Sequence, residues 1–214
     1  MKPQRLLHEA LLFSADRPGC ADKTAVIVEG QAYTYAELKD AALRLAGAFR
    51  ARGLQRSDRV AIYMDNTWPC VVSIYATLLA GGTFLVVNAQ TKADKLEFIL
   101  NDSGAKLLLT DWHLSKQFLP VLARAPELAG VICSGNVPEG QPVERFDAVV
   151  RDTAPQAPCN SVIPLDLAAL IYTSGSTGHP KGVMQTHQSM VFAAGSLIEY
   201  LRLSSEDRIL CVLP

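Results

Sequence analysis

DRVAIYMDNTWPCVVSIYATLLAGGTFLVV, residues 58–87, sets two short apolar runs, Val60 to Met64 and Thr83 to Val87, on either side of a longer one, Pro69 to Ala80. Each short run reads as a strand buried on both faces. The middle stretch is apolar almost all round and closed by Gly81-Gly82, as a buried helix would be. Trp68-Pro69 begins it, since proline is tolerated in a first helical turn. Strand, helix and strand in this order predict parallel strands joined by a right-handed helical crossover.

The same alternation extends outward. Ala93 to Asn101 reads as a helix with Leu96, Ile99 and Leu100 inward, and Lys106 to Thr110 as another strand. Upstream, Leu38, Ala42, Leu45 and Phe49 recur at helical spacing from Glu37, with Arg50 and Arg52 in the last turn and Gly53 as a cap. Val26–Val28 and Tyr33–Tyr35, joined at Glu29-Gly30, read as a hairpin. Leu6, Leu7, Leu11 and Leu12 form one stripe of a short docking helix that Pro18-Gly19 ends. The fold class is therefore α/β, a layered parallel sheet.

Between Arg151 and Asp166, Pro155, Pro158 and Pro164 exclude a helix or central strand and leave a loop inside a domain or a boundary between layers. Ala168 to Tyr172 is then a buried strand, Thr173 to Gly182 a loop, and Gln188 to Leu201 a helix with Met190, Ala194, Leu197 and Leu201 on one face. Met190, Phe192 and Tyr200 could border a substrate pocket, but apolar residues at helical spacing are expected in the core. Tyr172 either packs under the loop or ends its strand. Ile209 to Leu213 begins one more buried strand.

Composition narrows the function. With 20 Lys+Arg against 21 Asp+Glu, the net charge of -1 provides no global field for nucleic acid or an anionic membrane, so an anion needs a local site. Five scattered cysteines without a Cys-x-x-Cys pair read as reduced, small apolar residues. No apolar run reaches spanning length, and His8, Glu9 and Asp16 interrupt any signal-peptide core, so a cytoplasmic protein is expected. His8 and His113 are isolated in sequence, and no His/Cys/Asp/Glu group has metal-ligand spacing; no structural metal is expected.

The local site is Tyr172-Thr173-Ser174-Gly175-Ser176-Thr177-Gly178-His179-Pro180-Lys181-Gly182. Glycines let successive N–H groups converge on anionic oxygens. The hydroxyls of Thr173, Ser174, Ser176 and Thr177 add rotatable donors, and Lys181 adds a point charge. A flexible linker has similar composition, but its glycine and proline positions would recur in only roughly 0.3% of random chains. A Walker loop fits Lys181 at its offset from Gly175, yet Pro180 stands where that loop needs glycine, and Gly182 where it needs a magnesium-binding hydroxyl. His187, at the start of the next helix, is open to two readings, a phosphate or acyl-pocket contact or an exposed polar residue.

YTSGSTGHPKG, followed by Val183-Met184-Gln185-Thr186-His187, resembles the signature loop of the adenylate-forming superfamily, which includes acyl- and aryl-CoA ligases, amino-acid adenylation domains and firefly-type luciferases. Lys23-Thr24-Ala25, Tyr33 to Leu38, Asp58-Arg59-Val60-Ala61, Leu79 to Gly82 and Asp102-Ser103-Gly104-Ala105 look like its landmarks in order. One departure is Ala89 after Val86-Val87-Asn88, where many coenzyme A ligases have proline. The resemblance implies a carboxylate attacking the α-phosphorus of Mg-ATP, with the acyl-adenylate then passed to a thiol, coenzyme A before a carrier protein. It implies ATP, Mg2+ and coenzyme A as cofactors. Phosphate binding is carried over to Thr173, Ser174, Gly175, Ser176, Thr177, Gly178, Lys181 and Gly182, with Lys181 as the catalytic residue. It further implies that residues 1–214 are part of a large N-terminal domain, truncated, with the C-terminal domain absent. The adenine, ribose, magnesium and acyl sites are then expected beyond Pro214.

Overall fold

The computed structural model describes residues 5–173 and 180–211. The first third of the chain contains α1 (Glu9–Asp16), the hairpin β1 (Thr24–Val28) and β2 (Gln31–Thr34), α2 (Tyr35–Ala51), β3 (Arg59–Tyr63) and α3 (Trp68–Ala80). Then come β4 (Thr83–Val87), α4 (Ala93–Ser103), β5 (Ala105–Asp111), α5 (Ser115–Leu122), β6 (Gly130–Ser134), β7 (Glu144–Arg145) and α6 (Phe146–Asp152). The last elements are β8 (Leu167–Thr173), β9 (Lys181–Thr186) and α7 (His187–Leu201).

Among the described residues, β7-β6-β5-β3-β4-β8-β9 form one sheet, parallel except for the final β8–β9 pair. Alternation along the strands divides the core. Val60, Ile62, Leu107 and Leu109 face α2, α3 and α6, whereas Ala61, Tyr63, Leu85 and Leu108 face α4 and α5. Helices thus cover both faces, as continuous apolar strands require. The expected boundaries of β3 and β4 hold almost to the residue.

Local signals start and stop these elements. Thr34 and Glu37 form a reciprocal capping box, so α2 begins at Tyr35, earlier than the Glu37 start read from periodicity. Tyr35 is consequently helical, not part of the hairpin. Gly81 ends α3 at φ 88°, and a side chain on Gly82 would meet the Asp58 carbonyl at 3.1 Å. The proline-rich segment is a loop within the domain: Cys159 N–H donates to the Leu79 carbonyl at 2.8 Å, and Arg50 Nη2 donates to the Ala157 carbonyl at 2.8 Å.

The C-terminal third departs from expectation. Lys181 and Gly182, read as loop, belong to β9. Only Ala168 and Ala169 of β8 are buried, because β9 lies at the sheet edge and little covers it. Phe192 is 76% exposed and Tyr200 83%, so these two are not core; Met190 alone of the three packs against the main cluster. Ala194, Leu197 and Leu201 are exposed as well, since no described element packs over that part of α7. Ile209 to Cys211 form no strand and are exposed, while residues 212–214 lie outside the described part.

Candidate functional site

The segment singled out by composition connects β8 to β9. Thr173 is paired with Lys181 and Tyr172 with Gly182, so backbone pairing fixes the spacing of the two loop ends. Ser174, Gly175, Ser176, Thr177, Gly178 and His179 lie outside the described residues. β8 runs parallel to β4, which places Thr173 at the carboxyl edge of the parallel strands, where α/β sheets bind ligands.

Thr173 and Lys181 are both exposed at this edge. Lys181 has no carboxylate partner among the described residues, which leaves its ammonium available to an anion. Gly182 has a different constraint: a Cβ there would approach Tyr172 Cζ to 3.3 Å. The strand thus lies against the tyrosine ring. Tyr172 does not end its strand, since β8 continues to Thr173, and its ring lies against the return strand at Gly182; packing under the loop falls on residues outside the described part.

Three polar contacts pin this hairpin to the rest of the molecule. Tyr172 Oη donates to Asp102 Oδ2 at 2.6 Å, at the end of α4. Burial, followed by the Asp102 carboxylate, pushes the Tyr172 hydroxyl well above the usual phenol range, so it remains a donor. Arg56 grips Asp166 through two bonds of 2.8 and 2.6 Å at the base of β8, and this lowers the Asp166 carboxyl. Asp166 also accepts the Ile163 amide.

The third contact resolves His187. Its ring is 1% exposed, and Nδ1 accepts the Leu7 N–H at 3.1 Å, so it joins α7 to the N-terminal segment and neither reading from sequence applies. His8, also buried, packs edge-on against it with ring centroids 5.7 Å apart. Burial lowers the pKa of both, His8 to about 4, and each is a neutral imidazole near pH 7.

Sequence reasoning did not find the Tyr172–Asp102 contact, although Asp102 stood in a quoted landmark. The adjoining residues account for that landmark: Arg59 Nε donates to the Ser103 carbonyl at 2.5 Å, Nη2 donates to the Gly104 carbonyl at 2.8 Å, and Gly104 takes φ 58°. Burial pushes Cys70 and Cys133 up to about 12, and both remain protonated.

Known proteins resemble this chain over most of its length. The family described as AMP-binding enzyme matches residues 13–214. Tyrocidine synthase 3 of Brevibacillus parabrevis is 33% identical over 187 residues, which cover 87% of this chain and 3% of that protein. The 3-[(3aS,4S,7aS)-7a-methyl-1,5-dioxo-octahydro-1H-inden-4-yl]propanoyl:CoA ligase of Mycobacterium tuberculosis is 31% identical, covering 90% of this chain and 39% of that one. The crystal structure of ATP-bound MatB from Rhodopseudomonas palustris superposes with a TM-score of 0.76 at 28% identity, over 92% of this chain and 38% of that chain. The chain thus spans well under half the length of each of these proteins.

Proposed function

The chain belongs to the AMP-binding enzyme family, and we propose that it supplies the phosphate-gripping part of an ATP-dependent, AMP-forming acid–thiol ligase. The β8–β9 pairing carries this reading: it sets Thr173 and Lys181 side by side at the mouth of a Gly/Ser/Thr loop. When a carboxylate displaces pyrophosphate from the α-phosphorus of ATP, negative charge grows on the departing oxygens. Lys181 and the donors from Thr173 to Gly178 stabilise that charge as it develops, which accelerates the step more than it tightens substrate binding. Mg2+ would supply further neutralisation of the phosphates; no residue of this chain is assigned to it.

Coenzyme A is the acceptor we favour, in keeping with the coenzyme A ligase among the similar proteins. A carrier protein is the second reading, favoured by the likeness to a peptide synthase at 33% identity. The location we infer is cytoplasmic; no helix among the described residues is long and apolar enough to cross a membrane.

Carboxylate-dependent ATP–pyrophosphate exchange by the enzyme containing this chain tests the reading. Lys181→Ala should lower exchange about 100-fold, the scale of losing one charge-stabilising donor. Its stability should change by less than about 0.5 kcal/mol, as for an exposed side chain. Unchanged exchange in a folded variant would remove Lys181 from the mechanism.

A further inference from the structure

The order β5-β3-β4 sends the chain in opposite directions from two adjacent strands. β3 leads through α3 to β4 on one side, and β5 leads through α5 to β6 on the other. α3 and α5 pack on opposite faces of the sheet. The loops that follow β3 and β5 therefore part at the carboxyl edge, the arrangement that leaves a ligand-binding crevice in open α/β sheets.

Three metal-ligating side chains meet at that point. Asp65 lies just past β3, Asp111 ends β5, and His113 sits in the 3-10 turn Trp112–Leu114. One ligand atom from each lies within 4.8 Å of the other two. His113 Nε2 is 3.1 Å from Asp65 Oδ2. Asp111 is only 6% exposed, and its carboxylate accepts the Asp65 N–H at 3.0 Å and the Ser134 hydroxyl.

Among the described residues no lysine or arginine forms an ion pair with Asp65 or with the buried Asp111; the basic side chain beside Asp65 is His113. A carboxylate removed from water is ordinarily balanced by a cation or a metal. The Ser134 hydroxyl and the Asp65 amide already orient Asp111, as outer partners orient a metal-binding carboxylate.

We propose that Asp65, Asp111 and His113 bind one first-row divalent ion of the Zn2+ or Mn2+ kind. One imidazole nitrogen with two carboxylate oxygens suits these ions better than Mg2+ or Ca2+, which take oxygen alone. Bonds of about 2.1 Å place the ligands of a tetrahedral ion about 3.4 Å apart, so atoms within 4.8 Å of one another close on it by side-chain movement. Asp65 and His113, whose side chains are 56% and 57% exposed, have the freedom to make it. The site uses none of the residues assigned to phosphate binding and does not depend on that reading.

Co2+ titration of the metal-free 214-residue protein tests the proposal, because its visible bands report the ligand type. One saturable ion with nitrogen and oxygen ligands, displaced by Zn2+, is expected. His113→Ala and Asp65→Asn should each weaken binding at least about tenfold. Both should leave the melting temperature without metal within a degree or two, since these are surface side chains. Absence of saturable binding, equal binding by both variants, or a thiolate charge-transfer band that assigns the ion to cysteines would overturn it. If Asp111→Asn fails to fold, the two surface variants still decide the matter.

Discussion

Strands β3 to β5 and the β8–β9–α7 unit belong to one layered molecule, yet their apolar side chains meet opposite surroundings. Val60, Ala61, Ile62, Tyr63 and Leu85 are fully buried between helices on both faces. Met184, Phe192 and Tyr200 are 69%, 76% and 83% exposed. The comparison teaches that the loop proposed to bind phosphate is carried by the less covered region. There, the polar contacts Tyr172–Asp102, Asp166–Arg56 and His187–Leu7 fix what packing fixes elsewhere.

The sharpest test sets one side chain from each region against the other. Ile62→Ala should destabilise the protein by about 2–5 kcal/mol, because it empties a fully buried site. Phe192→Ala should cost less than about 0.5 kcal/mol. Equal losses in urea melts would break the contrast between the regions.

Acid should loosen the second region. The unfolded chain protonates His8 near pH 6.5, whereas the folded protein resists until about pH 4. The unfolded state therefore binds more protons between these values, and stability present above about pH 6.5 is lost as the pH falls through that window. The loss attributable to His8 approaches about 3 kcal/mol at the acid end. Charged groups around the pair, Glu9 and Asp166, favour protonation and moderate the effect. Urea melts at several pH values should show the loss in the native protein and a smaller one in His8→Leu.

A gentler perturbation sharpens the role of the polar anchors. Tyr172→Phe removes one hydrogen bond and should cost about 0.5–1.5 kcal/mol. Amide exchange along Lys181–Thr186 should quicken while that of β3 stays as it was. If β3 and β9 accelerate together, the hairpin is not a separately opening unit.

The same contrast explains what could be read in advance. β3, β4, α2 and α4 were legible because burial had written strong apolar patterns into them. β9 was not, since Lys181-Gly182-Val183-Met184-Gln185-Thr186 is an exposed edge strand whose existence depends on pairing with β8. Phe192 and Tyr200 followed helical spacing, but periodicity does not reveal whether anything lies opposite. The 111–150 stretch also escaped, with β6 and α6 short and Pro120 inside α5. For the site, loop chemistry was visible in residue types; Asp102 beneath Tyr172 and the meeting of Asp65 with His113 depend on strand order, which local spacing does not encode.

The bond between Leu7 and His187 joins positions 180 apart. On a ribosome, which releases a chain from its N-terminus, the first helix is made early but cannot complete its seating until residue 187 has emerged. Leu11 and Leu12 can pack with α2 as soon as it forms, but the Leu7 bond must wait through the synthesis of the whole central sheet. Final attachment of the earliest helix is thus timed by completion of β9.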